Sequence, residues 1–252
     1  MFELSLDLVI MLIGAAFVAG FVDAIAGGGG LITVPVLMLA GLPPAQALAT
    51  NKVQGVFGAA TAAISYAAAG HVDPRRQIGA ASVAFVAGLA GAFCVTLIPT
   101  QALRYALPVI LIAIAAFFAL KPGLSDADRA ARISPLVFTA FVVPVIGFYD
   151  GLVGPGTGAF FMLSFVMLAG YGILKATAHT KLLNLASNLG GLVAFALVGK
   201  PLWLTGLAMG AAQVAGAWVG SRLAMRIGAR LIKPLLVTTS TGLALKLIYD
   251  LM

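Results

Sequence analysis

Residues 21–30 read FVDAIAGGGG, and residues 148–157 read FYDGLVGPGT. Each stretch closes an apolar run with Phe-x-Asp and then enters a glycine-rich break. Asp23 precedes Asp150 by 127 positions, as Gly27 precedes Gly154 and Gly29 precedes Gly156. Further on, Gly41 and Gly170, Lys52 and Lys181, and Gly70 and Gly199 are each 129 apart. The chain is therefore duplicated, with breaks at matching points of two hydrophobic halves. That pattern is the best sequence pointer to a transporter's binding site.

The surrounding composition sets the class. Hydrophobic residues make up 62% of the chain and charged residues 9%, against roughly 25% charged in a soluble domain; mean hydropathy is +1.09. Residues 24–51, 77–103, 151–174 and 201–221 carry no charge, and a helix needs ~20 apolar residues to cross a bilayer core. The expected fold is all-α, a polytopic transmembrane helical bundle. The net charge of +7 forms no basic stripe and points to no nucleic acid. Cys94 stands alone, so no internal disulfide is expected. Glu3 and Asp7 precede the first apolar run without a base, so that helix is expected to stay attached rather than be cleaved as a signal peptide.

Full-length helices are expected over about 45–70, 77–98, 103–120, 173–198, 202–220 and 231–249. Two segments are interrupted: 8–22, a break at 23–30 and a short helix at 31–41, then 135–149, a break at 150–158 and a short helix at 159–170. The short pieces are about half a span at ~1.5 Å per residue. The polar stretch 121–134, KPGLSDADRAARIS, is read as a cytoplasmic linker between a first transmembrane repeat, 1–120, and a second, 135–252. Arg75 and Arg76 in the loop 71–76, Lys121, Arg129 and Arg132 in the linker, and Arg222, Arg226 and Arg230 in a loop at 221–230 mark the cytoplasmic side. The loops at 99–102 and 199–201, the acidic N-terminus and the end Tyr249–Asp250–Leu251–Met252 then face out. Loop 71–76 and its counterpart 199–201 fall on opposite sides, which predicts inverted repeats. The simplest count is a broken hairpin, re-entrant or discontinuous, plus three full helices in each repeat. If both hairpin arms cross fully, the count is five and five.

Irregular backbone survives at membrane depth only where protein or water lines it. Gly27, Gly28, Gly29 and Gly30, and Gly154, Gly156, Thr157 and Gly158, are therefore expected inside the protein. There they would lead into short helices whose first N–H groups and dipole ends suit an anion. The plainer reading is close helix packing, which suits Gly88 and Gly91. Lys52 and Lys181 lie inside predicted spans, where lysine is costly and is either functional or snorkels to the nearer surface. Thr50, Asn51 and Gln54 flank the first; Thr180, Asn184 and Asn188 flank the second, with 181, 184 and 188 on one helical face. That face suits a small oxyanion. Asp23 and Asp150 either cap and orient the breaks, pair with the two lysines, or accept coupling protons. An ordinary histidine titrates near neutrality, but the counterpart of His179 is Thr50, and a lone histidine is more often a packing residue.

Neither a Walker-type GxxxxGK[ST] nor HExxH, CxxC or GxSxG occurs, so no enzyme, cofactor or metal site is expected; no strand precedes the glycine run, as a dinucleotide fingerprint requires. The segment GFVDAIAGGGGLITVPVLMLAGLPPAQALATNK, with its second copy GFYDGLVGPGTGAFFMLSFVMLAGYGILKATAHTK, resembles the sulfite exporter TauE/SafE family over nearly the whole chain. The resemblance implies a multi-pass permease of a bacterial inner membrane that exports sulfite, sulfoacetate and related organosulfonate anions. Its motif falls on Asp23, Gly27–Gly30, Asn51, Lys52, Asp150, Gly154, Gly156, Gly158, Thr180 and Lys181. Pro155 and Thr157 depart from the glycine run in the second copy. The expectation is a secondary transporter of a small anion held at half-helix N-termini near the bilayer midplane, with membrane lipid around it, protons as a candidate coupling ion and an oligomer allowed. A passive anion channel and a non-transporting membrane subunit are the alternatives.

Overall fold

A computed structural model describes residues 6–99, 101–103, 105, 106, 109, 127–228 and 230. Among them run eight helical elements: α1 (Leu6–Ala26), α2 (Gly29–Leu39), α3 (Pro44–Ala68), α4 (Pro74–Thr96), α5 (Pro135–Leu152), α6 (Thr157–Met167), α7 (Ile173–Val198) and α8 (Trp203–Ile227). The span expected at 103–120 lies largely, and that at 231–249 wholly, outside the described residues, as do 121–126 of the linker, Glu3 and the last four residues.

Start signals are local. Proline opens α3, α4 and α5, where its missing N–H costs nothing. Asp73 caps α4 by accepting the Arg75 N–H at 3.0 Å, and Ser134 caps α5 through the Val137 N–H at 3.3 Å. Within α5, residues Phe138–Val142 form a π-turn. Pro144 follows it and has no N–H for the carbonyl four residues back, which lies in that turn.

The polarity of the bundle is turned inside out relative to a soluble protein. Lys52, Lys181, Asp150, Asn51, Gln54 and Gln213 are buried, while Leu97, Leu136, Leu204 and Trp203 are exposed. Lipid accepts the outer apolar belt, and the polar groups need each other. Four helices, α1, α4, α5 and α7, are long and apolar enough to span a bilayer by length and composition. The helices α3 and α8 are each 25 residues long.

The two halves interleave through glycine contacts that come in matched pairs. A Cβ on Gly20 of α1 would strike the Gln213 carbonyl of α8, and one on Gly147 of α5 would strike the Ala84 carbonyl of α4. Gly220 sits in the same way on Phe21, and Gly91 on Phe148. Each pair maps onto the other at the sequence offsets of 127 and 129. So α1 packs on α8 as α5 packs on α4, and α3 packs on α8 as α4 packs on α7. Gly88 and Gly91 follow the packing reading.

Direction follows from register. Val53 meets Gly206 and Phe57 meets Gly210, so α3 and α8 run the same way. Gln77 bonds the His179 carbonyl at 3.0 Å and Phe85 meets Gly190, so α4 and α7 also run together. The linker closes the second hairpin: the N–H of Arg132 donates to the Leu168 carbonyl at 2.8 Å, and that of Arg129 to the Gly170 carbonyl at 2.7 Å. The end of α6 therefore returns to the side on which α5 starts.

Two boundaries differ from expectation. The breaks are shorter than 23–30 and 150–158: α1 continues to Ala26 and α5 to Leu152, so Asp23 and Asp150 stand in the last turns of helices. An aspartate there reaches across the break with its carboxylate while its backbone stays helical, as the Gly27 N–H bond to the Asp23 carbonyl shows. Also, α8 runs to Ile227, so Arg222 and Arg226 lie on a helix rather than in a loop. The Arg222 guanidinium lies over the Trp218 ring at 3.9 Å, which lets the helix carry the charge toward the membrane edge.

Asp128 ties the linker to the start of α7, accepting the Gly172 N–H at 2.6 Å and Lys175 Nζ at 2.8 Å. The Lys175 hydrogen bond, then that from Gly172, holds its carboxyl below the usual carboxylate range. A depressed pKa stabilises the folded state above the ordinary value of ~3.9, and that contribution is lost as pH falls through the folded value. At neutral pH, Asp128→Ala is expected to speed trypsin cleavage after Arg129 and Arg132. An unchanged cleavage rate would mean that the two backbone bonds hold the linker alone.

Candidate functional site

Both breaks bend through left-handed glycines. Gly27 and Gly28 have φ of 77° and 98°, and Gly154 and Gly156 have 90° and 86°. Gly28 is the N-cap of α2 and Gly156 that of α6. The structural match is thus Gly28 with Gly156 and Gly30 with Gly158, and Pro155 is one inserted residue. The sequence pairing of Gly29 with Gly156 is off by that residue, because a glycine at positive φ, not at the first helical position, ends each break.

The breaks abut. A Cβ on Gly27 would overlap Gly158 and the Ala159 amide, and one on Gly30 would lie 3.1 Å from Pro155 Cα. The hydroxyls of Tyr66 and Tyr149 hold the two turns, donating to the Ala24 carbonyl at 3.0 Å and the Pro155 carbonyl at 2.5 Å. The starts of α2 and α6 thus face a common space, and their first N–H groups have no intrahelical acceptors. Two of them are taken, the Gly29 N–H by Asp23 Oδ1 at 3.2 Å and the Thr157 N–H by the Gly154 carbonyl at 3.1 Å.

That space is a polar cavity of about 30 Å³, room for about two waters. Gly28, Gly29, Gly30, Gly154, Gly156, Thr157 and Gly158 supply backbone to its wall. Asn51, Asn184 and Asn188 add side-chain amides, and Asp23 and Asp150 add carboxylates. Gly55 and Gln213, not anticipated from sequence, complete the lining. Gly55 lies one helical turn from Asn51 on the same face, a signal available at the i, i+4 spacing. Gln213 is a polar residue in an otherwise apolar run whose counterpart is Ala84, so duplication gave no hint.

The lysines stand behind this wall, each paired with the aspartate of the other half. Lys52 Nζ donates to Asp150 Oδ1 at 2.8 Å and to Asn188 Oδ1 at 3.2 Å, and Ser187 Oγ donates to Asp150 Oδ2 at 2.5 Å. Lys181 Nζ donates to the Asp23 main-chain carbonyl and lies 3.3 Å from Asp23 Oδ2. Both ammonium groups are buried, so they do not snorkel. Two lysines and two aspartates sum to zero formal charge.

The remaining predicted residues surround this core. Gly27 is the contact between the breaks rather than part of the lining. Gln54 donates to Asn51 Oδ1 at 3.1 Å, and Thr33 donates to the same oxygen at 2.6 Å. Thr180 is buried behind Lys181, its hydroxyl unpartnered among the described residues. His179 lies off the cavity, packed edge-on against Phe165 and Tyr171, with Nδ1 2.9 Å from the Lys175 carbonyl. It is a packing residue.

Comparison with known proteins follows the same outline. The sequence profile of a family described as sulfite exporter TauE/SafE matches residues 12–247. "Probable membrane transporter protein ORF9" of Sinorhizobium sp. is 52% identical over 98% of this chain and 95% of its own length. "Probable membrane transporter protein YfcA" of Escherichia coli K12 is 44% identical over 99% and 93%. A "Probable membrane transporter protein" of Haemophilus influenzae is 40% identical over 98% and 97%. No solved structure matches the chain significantly.

Proposed function

Because the chain belongs to the sulfite exporter TauE/SafE family, we propose that this multi-pass membrane transporter carries small sulfur-containing anions, such as sulfite or an organosulfonate. We read it as a secondary transporter working in the export direction. The observation that carries the reading is the meeting of two half-helix N-termini, α2 and α6, at one polar cavity walled by glycine backbone. Glycine puts no side chain between these helix ends and the cavity. A sulfonate presents three acceptor oxygens, and converging N–H and amide donors match that count. In the arrangement seen, the charge of each lysine is engaged by an aspartate. Admission of an anion therefore means loosening at least one pair and widening the cavity beyond two waters.

We further read residues 1–120 and 135–252 as inverted repeats. The common direction of α3 with α8 and of α4 with α7 supports this, since the short turns between α3 and α4 and between α7 and α8 reverse the chain. Arg75, the linker and the linker end of α7 then share one side, in keeping with the excess of base expected in the cytoplasm. Alternating access would follow from rocking of the repeats about the site.

The test is a binding screen on purified protein with sulfite, sulfoacetate, taurine, sulfate and thiosulfate. At least one sulfur oxyanion is expected to bind, and Lys181→Ala is expected to weaken it about tenfold or more, the scale of one charge-assisted hydrogen bond. Binding of none, or of taurine alone, would contradict an anion site.

A further inference from the structure

We propose that Asp23 is the proton-carrying group of this transporter, so that each anion enters the cavity together with a proton bound to the Asp23 carboxylate. The inference rests on the anion-transport reading above.

The first ground is charge. The buried centre holds Lys52, Lys181, Asp23 and Asp150, which sum to zero. An anion added alone would leave a net buried charge, which is expensive in a site of low dielectric. A cation must accompany it. The place where a metal cation would sit, against the carboxylate and main-chain carbonyl of Asp23, already holds Lys181 Nζ. The remaining way to balance the charge is a proton on a carboxylate.

The second ground is the inequivalence of the two pairs. Asp150 is enclosed, with 2% of its side chain exposed, Lys52 on one oxygen at 2.8 Å and Ser187 on the other at 2.5 Å. A proton there would leave Lys52 only the Asn188 oxygen at 3.2 Å and would disturb the short Ser187 bond. Asp23 has 17% of its side chain exposed, and its pair with Lys181 is longer at 3.3 Å. When Asp23 is protonated, Lys181 keeps the main-chain carbonyl of the same residue and loses only that long contact. Its freed N–H then points to the side on which Gly158 and the cavity lie, a Cβ on Gly158 being 3.6 Å from both Lys181 Nζ and Asp23 Oδ1.

The charged and titratable groups facing Asp23 come from several elements. From α7 comes Lys181. From α3 comes Tyr66, whose hydroxyl donates to the neighbouring Ala24 carbonyl, and Lys52, engaged with Asp150 across the cavity. Asp150 itself, on α5, lines the same cavity and opposes a second negative charge there. The helix α2 offers the Gly29 amide; α2 and α6 have no titratable side chain, and α8 presents the neutral Gln213. The proton comes from the aqueous side that the site faces, resides on Asp23 Oδ2 while the anion takes its place beside Lys181, and returns to water when the anion leaves, so export proceeds when the outward anion gradient exceeds the inward proton gradient.

The experiment measures binding of methanesulfonate and of isethionate, which carry a single, constant negative charge near neutral pH, to the full-length purified chain as pH is raised. Proton uptake is followed in parallel in weakly buffered detergent solution. Affinity is expected to fall about tenfold per pH unit on the alkaline side, with about one proton taken up per anion bound. Asp23→Asn, which fixes the neutral form, is expected to bind with little dependence on pH, and Asp150→Asn to keep the dependence. Wild-type affinity independent of pH, binding without proton uptake, or a slope that survives in Asp23→Asn would overturn the inference while leaving the anion site standing. Failure of both anions to bind at any pH would remove the anion-transport reading and the inference with it. The wild-type slope and the proton count decide the matter even if a variant fails to fold.

Discussion

Lys52→Met is expected to destabilise the protein by about 3–5 kcal/mol, the usual cost of removing one partner of a buried ion pair. In thermal unfolding, that corresponds to a fall in Tm on the order of 10 °C for a chain of this size. The cost comes from what is left behind. Asp150 is buried and retains only Ser187 among its side-chain partners. Asn188 Oδ1 loses its donor as well. The double variant Lys52→Met/Asp150→Leu is expected to recover most of the loss, since replacing both charges by apolar groups removes the uncompensated charge. It recovers stability and not transport. If the double variant is as unstable as the single one, the pair is not the source of the effect. Lys181→Met is expected to cost less, because Asp23 keeps the Gly29 amide and is partly exposed to the cavity.

The second large effect is at the contact between the breaks. Gly27→Leu is expected to lower the transport rate by at least about a hundredfold, the scale of an ångström's displacement of a working group. At φ 77°, a left-handed conformation alone costs an L-residue about 1–2 kcal/mol. The new Cβ would also overlap Gly158 and the Ala159 amide, so the two half-helix ends must separate. Backbone cannot yield as a flexible side chain can. Gly14→Leu is the matched control, since nothing lies within 4 Å of a Cβ there, and it should transport as the wild type does. Equal activity of the two variants would show that contact between the breaks is not needed.

Much of this architecture was legible because the chain states it twice. The membrane class follows from long uncharged runs, and the two breaks from Asp23 and Asp150 with their glycines. The helix 173–198 was found at its bounds because charge and glycine frame it on both sides. The breaks themselves looked longer than they are, since an aspartate before glycines reads as a turn residue. Here its backbone finishes a helix while its carboxylate serves the next one. The insertion of Pro155 was hidden by the run of glycines, in which a shift of one residue still aligns glycine with glycine. Pairing of lysines with aspartates was open from sequence as one of three roles for the carboxylates. That the pairs cross between halves, Lys52 to Asp150 and Lys181 to Asp23, is a long-range fact set by how α3 and α7 cross the ends of α5 and α1. Gln213 left no trace in the duplication because Ala84 holds its place in the other half.

The proposed function requires two half-helix ends to receive one anion together. Selective 15N-glycine labelling reads their amides directly. On titration with sulfite, sulfoacetate and thiosulfate in turn, the resonances of Gly29, Gly30 and Gly158 are expected to shift together and saturate, while the packing glycines Gly88 and Gly91 stay in place. Saturable shifts confined to other glycines, or none with any of the three anions, would contradict it.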